Sequence, residues 1–145
     1  MGYTHYWRRF KDFTPEQWDA IVKETRAIVD SYGELLAGWN GEDSPIVDEN
    51  MISFNGRDPE CCESFIIKRW LKDYGLRAEA LTSEFPPRGF FDFCKTRMLT
   101  YDSAVVEVMA ALKRIAPEAI SISSDGGPGV FPGYQPDHLD GLQSE

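Results

Sequence analysis

The word Thr14-Pro15-Glu16-Gln17 constrains the fold more than any other stretch of this chain. A threonine followed three positions later by glutamine forms a capping box, in which each side chain satisfies a backbone N–H that an opening helix leaves unpaired. Proline suits the first helical position, where its missing N–H is not needed. Phe13 and Trp18 flank the cap at the two positions of a hydrophobic staple. The series Trp18, Ile21, Val22, Thr25, Ile28, Val29, Tyr32 then recurs at three- and four-residue steps, and Gly33 stands where a helix closes. The spacing predicts a helix over 15–32 with one apolar stripe, which must be buried against another element. A second helix is predicted over about 102–116, with Val105, Val108, Met109, Leu112 and Ile115 on its stripe. Lys113 and Arg114 lie near its C-terminus, and Pro117 ends it.

Strand signals surround the two helices at 3–7, 51–55, 64–67, 90–95 and 119–123. Ile52/Phe54, Phe91/Phe93 and Ile120/Ile122 alternate with polar neighbours, the pattern of a sheet covered on one face. The order β-α-β-β-β-α-β predicts an α+β fold. Two helices would cover one face of a roughly five-stranded sheet, with a split-βαβ-like arrangement at its ends. With 145 residues the chain has room for one core. Residues 1–125 are expected to form a single domain, and 126–145 a Gly/Pro-rich acidic tail, partly disordered and removable beyond about residue 135.

Charge and cysteine usage narrow the function classes. The net charge is −9, from 24 acidic against 15 basic residues. The loop at 42–49 and the tail at 124–145 each hold four acids and no Lys or Arg, so the rest of the chain is nearly neutral. That balance disfavours binding to duplex nucleic acid, where neutralised phosphates supply most of the affinity. No apolar run approaches the length of a membrane span, and the N-terminus has no secretory h-region, so a cytoplasmic location is expected. Cys61, Cys62 and Cys94 match no disulfide or CxxC framework. A zinc set drawn from these cysteines and His5 lacks the usual spacings, and no cofactor motif is present. His5 is followed by Tyr6-Trp7, not by the HxT or HxS of a phosphoesterase pair.

Several strands end in short polar words, and such ends are where sites collect on a rigid scaffold. The chain begins Met-Gly-Tyr-Thr-His-Tyr and carries Phe-Asn-Gly at 54–56, Cys-Glu-Ser-Phe at 62–65, Phe-Cys-Lys-Thr at 93–96, Tyr-Asp at 101–102 and Ser-Ser-Asp-Gly at 123–126. In these words it resembles a family of small proteins from bacteria and their phages. The resemblance implies a phage or prophage setting, with the host cytoplasm as its compartment, and no particular reaction.

From the residues themselves, His5, Asn55, Arg57, Lys95, Thr96 and Asp125 are expected to converge in one concave region, with Arg8, Arg9 and Arg97 beside it. Guanidinium groups hold phosphate or carboxylate bidentately, a lysine adds a point charge, and the Gly126-Gly127 backbone offers further donors. The reading is a binding protein for a small anionic or nucleotide-like molecule or for a host protein. The alternative is a small hydrolase or transferase using His5, Lys95 and Asp125. The sequence sets no oligomeric state.

Overall fold

The computed structural model describes residues 3–76, 88–137 and 139–140. Helix α1 spans Pro15–Tyr32 and opens with the expected box: the Thr14 side chain accepts from the Gln17 N–H, and the Gln17 side chain accepts from the Thr14 N–H. Phe13 and Trp18 stack with ring centroids 5.6 Å apart, which is the staple. Helix α2 spans Asp102–Ile115 and is buried along most of its length. The strands are β1 (Thr4–Arg9), β2 (Leu36–Ala37), β3 (Ile46–Val47), β4 (Met51–Gly56), β5 (Phe65–Lys68), β6 (Phe90–Lys95) and β7 (Ile120–Ser124). The protein has an α+β fold.

The strands form two antiparallel sheets in place of one five-stranded sheet: β6-β1-β7, and a four-stranded sheet centred on β4. The short strands β2 and β3, unmarked by any sequence signal, explain the division. Ile52 of β4 pairs with Val47 of β3 on one edge and Ile67 of β5 on the other, and β2 takes Asn55 and Gly56. No edge of β4 is left for β1. Among the described residues all pairings are antiparallel, so the expected split βαβ has no parallel strand pair there.

The sheets and helices share one core. Trp7 of β1 meets Phe65 of β5 at 5.2 Å between centroids, and Phe65 meets Phe54 of β4 at 5.3 Å. Arg9, fully buried, ties the two sheets together: its guanidinium donates to the Lys68 and Arg69 carbonyls and lies 4.1 Å over the Phe13 ring. Burial lowers its pKa to about 10.

The inward and outward sides of β6 are the reverse of those expected. Its register with β1 sets Cys94 opposite His5 and Asp92 opposite Trp7, on the buried face. Phe91 and Phe93 therefore point outward and are 44% and 47% exposed. Phe90-Phe91-Asp92-Phe93-Cys94 carries apolar residues on both faces, so alternation alone could not choose between them.

Far from hanging free, the acidic segment is docked as far as it is described. Lys113, 4% exposed, donates to the carbonyls of Pro117 and Ile120 and pairs with Asp137 at 2.8 Å and Asp140 at 3.5 Å. Asp140 also accepts the Ile122 N–H at 3.0 Å, capping the outer edge of β7. Burial pushes the Asp137 pKa up, but the Lys113 ammonium and the backbone N–H groups of Leu139 and Asp140 outweigh it and hold the carboxyl below its ordinary range. Position 138 and residues 141–145, on which the expectation of disorder also falls, lie outside the described residues. Among the described residues no helix is long and apolar enough to cross a membrane.

Candidate functional site

Four of the polar words meet at one end of the β6-β1-β7 sheet. His5 on β1 lies opposite Cys94 on one side and Ser124 on the other, its ring on the buried face. Its Nδ1 is 2.8 Å from Ser124 Oγ, and its Nε2 is 2.6 Å from Asp102 Oδ1, at the first turn of α2. The helix N-terminus favours a carboxylate at that position. Thr96, just beyond β6, donates its hydroxyl to the same Asp102 oxygen. Burial raises the Asp102 pKa, yet the hydrogen bonds from His5 and Thr96 prevail and hold the carboxyl below its usual value. An ionised carboxylate only accepts, so His5 Nε2 donates to Asp102, and Nδ1 is the ring nitrogen that faces the Ser124 hydroxyl.

Ser124 also accepts the Gly126 N–H at 3.0 Å. The turn behind this bond is close-packed: a Cβ at position 126 would run into the Tyr3 hydroxyl and the Val130 side chain, and both would have to move. Tyr3 and Phe131 close around the His5 ring edge-on, at 5.2 and 6.2 Å. Ser124 itself is half-buried and lines a cavity of about 230 Å³ along the outer edge of β7, with Ile122, Pro128, Tyr134, Pro136 and Asp140 among the walls. The ladder directs the Asp125 N–H toward β1, where it meets the Thr4 carbonyl. By alternation Ile120, Ile122 and Ser124 turn their N–H and C=O groups to the cavity edge, as the bonds of Asp140 to Ile122 N–H and of Gly127 N–H to the Ser124 carbonyl attest.

Of the six residues expected to converge, His5 and Thr96 share the Asp102 carboxylate, and Asp125 lies beside them. Its carboxylate accepts from the Thr4 N–H at 3.0 Å and the Tyr6 hydroxyl at 2.8 Å, fixing the turn after β7. Lys95 is on the opposite, outward face of β6. Asn55 and Arg57 belong to the other sheet. Asn55, 1% exposed, bonds the Trp39 and Cys62 carbonyls and the N–H groups of Gly56 and Cys62. Arg57 gives its guanidinium to the carbonyls of Glu34, Leu36 and Asp43. The basic residues expected around one pocket are thus dispersed, Arg9 into the core, Arg57 onto loops, and Arg8 and Lys95 onto the outer sheet face.

Cys94 is buried, donates to the Glu63 carbonyl, and has its thiol pKa pushed up by burial, so it forms no nucleophile pair with His5. Among the described residues no group of three or more His, Cys, Asp or Glu side chains is arranged to hold a metal ion. In the sequence Asp102 stands only as the first residue of the second predicted helix, and Ser124 only as one of several serines at the end of a strand. The signal that marks both is their presence in the words at 101–102 and 123–126, which share this site with those at 1–7 and 93–96. No family model, curated protein or solved structure matches this chain.

Proposed function

We propose that the protein is a small hydrolase that cleaves an activated acyl bond such as an ester. In this reading Ser124 is the nucleophile, His5 the general base and Asp102 the group that orients the imidazole. The observation that carries the reading is the unbroken chain from Ser124 Oγ through His5 to Asp102, with links of 2.8 and 2.6 Å, starting at a cavity wall. Nucleophile, base and orienting acid within hydrogen-bond reach are what acyl transfer needs, whichever ring nitrogen faces which partner.

The chemistry balances without further groups. Ser124 Oγ attacks the acyl carbon while its proton passes to His5 Nδ1, and the imidazolium is stabilised by Asp102. His5 then returns that proton to the leaving alkoxide, and the acyl–oxygen bond breaks. A water molecule repeats the sequence in reverse roles, releasing the acid and restoring the Ser124 hydroxyl. The Ser124 N–H, on the cavity side of β7, is the donor positioned for the developing oxyanion. A cavity of about 230 Å³ walled by Ile122, Pro128 and Pro136 suits a short apolar acyl group. A binder built on all six expected residues has less support, because Asn55 and Arg57 have their donors committed to backbone carbonyls.

Incubation with a fluorophosphonate followed by peptide mass spectrometry should give one adduct, on Ser124. Hydrolysis of p-nitrophenyl butyrate should fall about 10²- to 10⁴-fold in Ser124→Ala with an unchanged melting temperature. Asp102→Asn should lose a similar factor. Its amide N–H would donate to Nε2, shift the ring proton to Nδ1 and abolish the base. An unlabelled Ser124, or hydrolysis that survives Ser124→Ala, rejects this function.

A further inference from the structure

The outer face of the β6-β1-β7 sheet carries an aromatic surface that the hydrolase reading does not use. Phe91 and Phe93 are nearly half exposed. Tyr6 stacks beside Phe91 with centroids 6.0 Å apart and planes at 24°, and Phe91 and Phe93 are again 6.0 Å apart. Burying neither phenylalanine forgoes a sizeable hydrophobic gain, so two adjacent exposed rings on a regular strand mark a surface kept for a partner. The charge on this face runs against the rest of the molecule. The chain is −9 overall, whereas the strand positions that share this face carry Arg8 and Lys95, and one carboxylate, that of Asp125 just past β7, accepts the Tyr6 hydroxyl at its end. The Arg8 guanidinium lies 4.9 Å over the Phe91 ring and gives one N–H to the Arg88 carbonyl at 3.2 Å.

We infer that this face binds single-stranded nucleic acid, with bases stacked on Phe91, Phe93 and Tyr6 and phosphates met by Arg8 and Lys95. Flat aromatic rings accept any base face, and cations flanking them neutralise a backbone, which is the combination that single strands require. A duplex presents no free base faces, and its binding would call for a larger positive surface than two side chains provide. The nearly neutral remainder of the chain limits the contact to a short stretch. The cross-strand row Phe93, Tyr6, Ser123 runs toward the β7 edge, but the binding does not depend on the hydrolase reading.

Fluorescence anisotropy with a labelled ten-nucleotide oligothymidylate at low salt tests the inference on the full chain. Wild-type protein should bind, and Phe91→Ala and Phe93→Ala should each weaken binding by at least about fivefold. Both side chains are exposed, so melting temperature and fluorophosphonate labelling of Ser124 should not change, and the two proposals stand or fall separately. Arg8→Gln and Lys95→Gln should weaken binding and flatten its salt dependence. The inference is overturned by absence of binding up to about millimolar protein or by binding indifferent to Phe91→Ala. A sedimentation result in which Phe91→Ala turns a dimer into a monomer overturns it too, since the face would then belong to a second copy of this chain.

Discussion

His5, Thr96, Asp102 and Ser124 on the three-stranded side, and Asn55 and Arg57 on the four-stranded side, all come from polar words at strand ends. Their hydrogen bonds end in different places. On the first side, side chains bond to one another, and the chain they form starts at a cavity. On the second, they bond almost entirely to main-chain carbonyls and N–H groups of the 34–43 and 61–64 loops. A polar group spent on the backbone holds the fold, because removing it leaves buried partners unsatisfied. A relay between side chains leaves a proton acceptor and a hydroxyl in a state that chemistry can use. The destination of the bonds, and not the residue type, separates the two sides.

The largest expected effect breaks the comparison at the edge of β7. Truncation after residue 135 removes Asp137 and Asp140 and strands the buried Lys113 ammonium, at a cost of about 3–5 kcal/mol in urea unfolding. A change under about 1 kcal/mol would mean that the docked segment does not hold the relay side together. Next in size, Asn55→Ala should cost about 2–4 kcal/mol by orphaning the Cys62 and Trp39 carbonyls and two N–H groups, while folded protein still labels at Ser124 at the wild-type rate. Loss of labelling in a folded Asn55→Ala protein would erase the distinction between the two sides.

The smallest effect is in the pH dependence. Asp102 and Asp137 both titrate below their ordinary range in the folded protein, so the unfolded chain binds protons first as pH falls. Their contribution is fully present above the usual aspartate pKa of about 4 and is lost as pH drops through the folded values. Unfolding midpoints should therefore decline below about pH 4, less steeply in Asp102→Asn than in the wild type. Equal slopes would show that Asp102 gains nothing from His5 and Thr96.

Much of the local structure could be read directly from the chain. The capping box at Thr14, the stripes of both helices and the five longer strands follow from periodicity and end chemistry, which act over a few residues, and together they specify an α+β fold. His5 and Thr96 were legible as polar strand ends. Tertiary structure decided the rest. The two-residue strands β2 and β3, too short to leave a pattern, together with β5 occupy the edges of β4 and divide the strands into two sheets. The register of β6 on β1 turns Phe91 and Phe93 outward, a choice that a one-residue slip would reverse and that Phe90 and Cys94 left open in the sequence. The link from His5 to Ser124 spans 119 positions and that to Asp102 spans 97. Local periodicity cannot encode a contact at such separations, because it exists only once the sheet has paired β1 with β7 and packing has brought the start of α2 against His5.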